Sequence, residues 1–219
     1  MIQIIQQIIQ LIAQYLSQKT MAPVSTVEGP LSPIQALRKV YAENGATMDP
    51  VSILGARNDS SPGEWNDFFI VCVGDKIMKL KGTTDPGKKY TLTPLNSAGC
   101  ANVCLGFHEK IWEHGLHRGQ DALRQCGSIR IWRDADRDHV FSQNDPVQYA
   151  GPESGINYHR GGMTQNVGGW SAGCQVPQDP DLYQRHLDVI NTVEQKQFSY
   201  LLVQMASLPK QLRDLPYWK

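Results

Sequence analysis

One stretch limits the fold more than any other: Phe68-Phe69-Ile70-Val71-Cys72-Val73, then Gly74-Asp75, then Lys76-Ile77-Met78-Lys79-Leu80. Two strand-forming runs separated by a glycine-containing pair predict a β-hairpin, because glycine accepts the positive φ that a two-residue turn demands. Such a hairpin needs a sheet around it. Further strands are expected at 128–132 (SIRIW), 155–159 (GINYH) and 198–205 (FSYLLVQM), with turn-rich stretches such as GTTDPGKK and PLNSAGCANV between the strand signals. Helices flank the strands. Ser32-Pro33 supplies an N-cap and a first helical position, and Ile34, Leu37, Val40 and Tyr41 recur at helical spacing. Asn44-Gly45 ends the run, so a helix is predicted over 33–43. A second is predicted from Asp179 to Lys196, with Leu182, His186, Val189, Ile190 and Val193 on one side. The fold class read from these signals is mainly β with flanking helices, α+β.

The first eighteen residues, MIQIIQQIIQLIAQYLSQ, are of a different kind. At about 100° per residue, Gln3, Gln6, Gln7, Gln10, Gln14, Ser17 and Gln18 gather on one third of the helical wheel, and Ile, Leu, Tyr, Ala and Met fill the rest. The predicted amphipathic helix, residues 1–19, carries no charge before Lys19. It lacks the basic start and unbroken apolar stretch of a secretory signal. Its glutamines do not suit a spanning helix, and it has no Lys/Arg face for a membrane surface. Three destinations are open to it: its own domain or an oligomer, a carrier or partner protein, and a membrane. Residues 20–31 are rich in small residues and Pro and read as a linker, which leaves 32–219 as the main domain of this 219-residue chain.

Lys plus Arg and Asp plus Glu number 21 each and are interspersed, so there is no basic footprint for nucleic acid. The five cysteines, Cys72, Cys100, Cys104, Cys126 and Cys174, leave at least one thiol unpaired, and the disulfide state stays open. Cys100, Cys104, His108 and His114 invite a zinc reading. Their spacing fits no common finger or ribbon, and buried thiols with surface imidazoles are preferred.

The segment from Tyr158-His159-Arg160-Gly161-Gly162 to Gly168-Gly169-Trp170-Ser171-Ala172-Gly173-Cys174-Gln175 carries the chemistry. A histidine closes a strand, a glycine-rich loop follows, and a turn of small residues presents a cysteine. A cysteine nucleophile needs an imidazole within hydrogen-bond reach to favour the thiolate, so the Cys174 thiol is expected below about 8.5. Small neighbours let a substrate backbone approach and leave the amides of Gly173 and Cys174, with Ser171 beside them, to face a developing oxyanion. Trp170, Tyr158 and Arg160 are candidate groove residues. So are His117 and Arg118, a glycine-flanked pair suited to a carboxylate or to a plain turn. His159 precedes the cysteine by fifteen residues, the reverse of the papain-like order.

These residues resemble the L,D-transpeptidase catalytic motif, a His-Gly, a variable loop and then Ser-[His/Asn]-Gly-Cys-[Ile/Val/Leu]-Arg. His159, Ser171, Gly173 and Cys174 match it, and Thr83-Thr84-Asp85-Pro86-Gly87 is similar to that family's upstream Thr-Pro-x-Gly turn. The blocks at 115–125, 131–138 and 169–176 resemble phage and bacterial relatives of the family. The resemblance implies an L,D-transpeptidase-like β-rich catalytic domain without cofactor, acting on peptidoglycan stem peptides in the bacterial cell wall or periplasm. Cys174 would be its nucleophile and His159 its proton carrier. A phage- or injection-delivered hydrolase is a second expectation and a non-catalytic docking protein a third. Ala172 stands where the family has His or Asn, Gln175-Val176 replaces an aliphatic residue followed by Arg, and Gly161-Gly162 lie one position late.

Asp134, Asp136, Asp138 and Asp145 stand at positions 1, 3, 5 and 12 of a calcium-type loop, with His139 where the loop wants glycine. Arg133 and Arg137 offer the alternative, a solvated salt-bridged turn, which is the preferred reading. Deleting residues 1–30 should leave the melting temperature of the remainder nearly unchanged. A large loss in a verified monomer would place the helix in the core.

Overall fold

The computed structural model describes residues 29–58, 62–141 and 144–219. The predicted helix 1–19 and residues 20–28 of the linker lie outside them. Helix α1 (Pro33–Glu43) has the predicted bounds. Ser32 Oγ accepts from the Gln35 amide while the Gln35 side chain accepts from Ser32 N–H, a reciprocal cap. The chain is mainly β, with eleven strands among the described residues.

The hairpin forms as expected, from β2 (Asp67–Val73) and β3 (Lys76–Thr83), with Phe69 opposite Leu80. It is flanked by β1 (Val51–Arg57) on one side and β10 (Val176–Pro177) on the other. Beyond β1 the sheet continues through β11 (Gln197–Gln204), β5 (Gly106–His117), β6 (Gln120–Gln125) and β9 (Tyr158–His159). Only the β1–β11 pairing within this sheet's ladders is parallel, with Ile53 opposite Tyr200. A smaller sheet joins β4 (Ala101–Val103), β7 (Ile129–Arg133) and β8 (Val147–Ala150). A short helix α2 (Lys88–Leu92) follows the 83–87 turn.

The eight-stranded sheet curls until its two edges meet. Gln175, just before β10, bridges Tyr158 of β9 in parallel: the Gln175 amide donates to the Asn157 carbonyl at 2.9 Å and the His159 amide to the Gln175 carbonyl at 3.2 Å. An aromatic cluster fills the space behind this seam. Trp112 packs on Tyr200 at 4.8 Å and on Tyr158 at 5.5 Å, and its indole N–H donates to the Ile156 carbonyl. Tyr200 lies over Gly55 of β1, where any Cβ would collide with the tyrosine ring and hydroxyl. The Tyr200 hydroxyl then reaches Gln175 Oε1 at 2.6 Å.

Two predicted elements are shorter than expected. The strand over 155–159 is reduced to Tyr158–His159. Gly155 is left-handed at φ 62, and the Asn157 side chain takes the Gln125 amide, so the residues before Tyr158 do not pair regularly. The helix expected to reach Lys196 is α3 (Pro180–Ile190), capped by Asp179. Gln195 explains the early end. Its side chain accepts from Val51 N–H and donates to the Val51 carbonyl, which pulls the chain away toward β11. A last short helix, α4 (Lys210–Arg213), follows β11.

Replacing Tyr200 with Phe leaves Gln175 Oε1 buried without its donor, which should cost about 1–3 kcal/mol. Urea unfolding should show a lower midpoint at unchanged slope. An unchanged midpoint would show that the bond contributes nothing.

Candidate active site at the seam of the sheet

Side chains alternate along extended backbone. Along the bridged segments, Tyr158 and Gln175 therefore enter the core, while Asn157, His159 and Cys174 project to the other face. Tyr158 is fully buried, its hydroxyl 3.1 Å from His186 Nε2. The expectation that Tyr158 lines a groove is corrected by this alternation.

His159 has a defined tautomer. Nδ1 lies 2.8 Å from the Arg160 carbonyl, an acceptor only, so Nδ1 carries the proton and Nε2 is the basic nitrogen of the neutral ring. Nε2 is buried and has no hydrogen-bond partner. His117 stacks on the ring at 4.3 Å, and Asn157 Nδ2 donates to His117 Nδ1 at 3.0 Å. His117 thus joins the site as a wall of His159.

Cys174 is 9% exposed. It packs with Trp65, Val167 and Val176, with Trp170 against their rim. Its thiol is 3.4 Å from the Gly155 carbonyl, to which it donates, and it makes no hydrogen bond to His159. Burial pushes the thiol up to about 11, opposed by the Asn157 amide and the Arg118 charge. Burial likewise holds His159 down to about 4, against the pull of its bond to the Arg160 carbonyl. The charges of Arg118 and Arg160 push it the same way as burial. The expected low thiol is corrected: at neutral pH the resting pair is thiol and neutral imidazole. Transfer of the proton requires Sγ to leave Gly155 and turn toward Nε2, a tightening common when substrate enters.

The turn is locked from within. Gly173 has φ 129, beyond what a side chain tolerates, and lies against the Ala101 carbonyl of β4. Ser171 Oγ accepts from the Gly173 amide at 3.2 Å and donates to the Cys174 carbonyl at 2.8 Å. The Gly173 amide is therefore committed to the turn and is not a free oxyanion donor. The Cys174 amide, which makes no backbone hydrogen bond among the described residues, is the candidate. The 83–87 turn docks beside it, with Gly87 N–H donating to the Ser171 carbonyl.

The sequence marked Gln175 only as a departure from the motif, yet it anchors the turn. Besides accepting from Tyr200, it donates through Nε2 to the Thr84 and Gly173 carbonyls. Asn157 and Gly155 were missed as well, since nothing local marks an asparagine as the brace of a distant histidine. All five cysteines are free, and only Cys126 is not buried. The four residues of the zinc reading form no metal cluster among the described residues. His108 Nε2 is instead 2.8 Å from the Cys104 carbonyl, and His114 stacks edge-on against Phe198. A cavity of about 540 Å³ lies elsewhere, lined by Arg57, Asp85, Asn102, Trp132 and His139. It contains neither Cys174 nor His159, so the polar constellation rather than cavity size locates the candidate chemistry.

No family model, curated protein or solved structure matches the chain.

Because Cys126 is the accessible thiol, brief alkylation of native protein near neutral pH should mark it first. In a Cys126→Ser variant, labelling of Cys174 should then climb with pH toward about 11, the value burial imposes. Fast labelling of Cys174 at neutral pH, mapped by peptide mass, would overturn the neutral-thiol assignment.

Proposed function

We propose that the chain is a cysteine acyltransferase of the L,D-transpeptidase kind that acts on peptidoglycan stem peptides. One observation carries the reading: His159 is held by the Arg160 carbonyl with a bare, buried Nε2, on the face that also bears Cys174. A histidine that is merely structural normally has both nitrogens satisfied when buried.

By the resemblance, the donor is a stem containing diaminopimelate followed by D-Ala. Cys174 Sγ forms a bond to the carbonyl carbon on the L-centre as its proton passes to His159 Nε2. The C–N bond then breaks, the proton moves from Nε2 to the leaving amine, and a thioester on Cys174 remains. An acceptor amine attacks the thioester, restores the thiol and leaves a new amide cross-link. Water in place of the amine gives a carboxylic acid, the outcome expected of a delivered wall-degrading hydrolase. Arg118 is the cation whose charge acts on both Cys174 and His159, a role suited to a carboxylate on the stem. The depth of Cys174 and its bond to Gly155 favour a second reading, a docking protein that keeps the fold without the chemistry.

Incubation with muropeptides and mass analysis of the products separates these. Cross-linked dimers indicate transfer, shortened stems hydrolysis, and unchanged stems docking. Cys174→Ala should abolish the products. His159→Ala should lower kcat/KM by about 10²–10⁴. Since His159 must be neutral to act and is held at about 4, activity should persist below pH 6 and fall only as pH drops through about 4. Full activity in Cys174→Ala would end the proposal.

A further inference from the structure

The loop after β7 holds three carboxylates that its own arginines do not neutralise. One oxygen each from Asp134, Asp136 and Asp138 lies within 4.8 Å of the others. The salt-bridged turn preferred from sequence needs Arg133 or Arg137 on these acids. Instead Arg133 donates to the Gly99 carbonyl and Gln148, and Arg137 to the Ser97 carbonyl. Asp134 is fully buried, and its Oδ2 has no hydrogen-bond partner. His139 lies against this carboxylate, its amide donating to Oδ1 at 3.4 Å and its Nδ1 standing 3.5 Å from Oδ2, a contact that is an ion pair only with the imidazole protonated and that gives Oδ2 no hydrogen bond. A buried carboxylate that keeps one oxygen without a donor, gathered with two further carboxylates, points to room for a cation among them.

We propose that this loop binds a calcium ion through Asp134, Asp136 and Asp138. An all-oxygen set suits a hard cation, and calcium accepts an irregular cage completed by water, whereas magnesium demands near-octahedral geometry. The objection from sequence was His139 at the glycine position. His139 takes the left-handed conformation itself, at φ 64, so the loop closes without glycine. Asp145, the fourth ligand expected from spacing, is not in the gathered group, which is a correction to that reading and makes the site a weak one. The loop is tied to the nucleophile turn through one strand. Asp134 N–H donates to the Cys100 carbonyl, and Ala101 of β4 supports Gly173. Calcium at Asp134 therefore braces the strand on which the Cys174 turn rests.

The test is calorimetric titration of chelator-treated full-length protein with calcium chloride. One ion per chain should bind, with a dissociation constant of about 10⁻⁴–10⁻³ M, the range of weak extracellular sites. The melting temperature should rise with it. Asp136→Asn and Asp138→Asn change exposed side chains and keep the turn's oxygen acceptors, so they should fold and weaken binding by about tenfold. Magnesium chloride at equal ionic strength should have little effect. No binding up to about 10 mM calcium, an equal response to magnesium, or unaltered binding in both variants would each overturn the proposal.

Discussion

The hydrogen bond from the Tyr200 hydroxyl to Gln175 Oε1 ties the centre of the sheet to its seam. Tyr200 can reach across only because Gly55 on the neighbouring strand has no side chain. Gln175 in turn has no freedom left, since its amide nitrogen serves the Thr84 and Gly173 carbonyls. A buried amide stripped of these partners costs about 1–3 kcal/mol for each group orphaned. An aliphatic residue at this position would be held by contact alone and could slide. Three directed bonds fix the backbone of the next residue back, and that residue is Cys174.

Thr84 links this anchor to a second buried network. Its carbonyl accepts from Gln175 Nε2 and from Arg57 Nη2. Arg57 Nε lies 2.9 Å from Asp85 Oδ1, both side chains being under a tenth exposed. Asp67 receives the Thr84 amide and hydroxyl on one oxygen and the Asn58 amide on the other. Buried ion pairs add little net stability, because desolvation offsets their attraction, but breaking one is expensive. Such a network is better at specifying one position for the 83–87 turn than at raising the melting point. The turn then holds Ser171 through Gly87, so the charges under the sheet act on the Cys174 turn by geometry.

The sequence made local structure legible wherever one segment carried its own instruction. The Gly74-Asp75 hairpin and the Ser32-Pro33 cap were both readable because their signals lie within a few residues. Strands β1, β5 and β6 went unread, although β1 lies in the middle of the large sheet. Val51–Arg57 has a serine and a glycine in its run, and the glycine is explained only by Tyr200, which is 145 residues away. The same limit governs the site. Cys174, His159 and the small residues between them form a local pattern and were found. Asn157, Gly155 and Gln175 act through partners distant in the chain, such as His117, Cys174 and Tyr200, so local spacing does not show what they do. Burial was also invisible, which is why the thiol was expected low and stands high.

That burial sets what the proposed chemistry has to accomplish. With burial holding the thiol high and the His159 imidazole low, moving the proton from Sγ to Nε2 in the resting site is uphill. Making the ion pair first in the resting site works against the burial of both groups. The proposed reaction is therefore eased when proton transfer and attack proceed together, so that negative charge develops on the substrate oxygen near the Cys174 amide rather than on sulfur. Such a site keeps its thiol protonated until a carbonyl is seated. Its selectivity would then come from what can displace the Gly155 carbonyl as the partner of Cys174, which makes Gly155, rather than the intrinsic reactivity of the thiol, the gate to the chemistry.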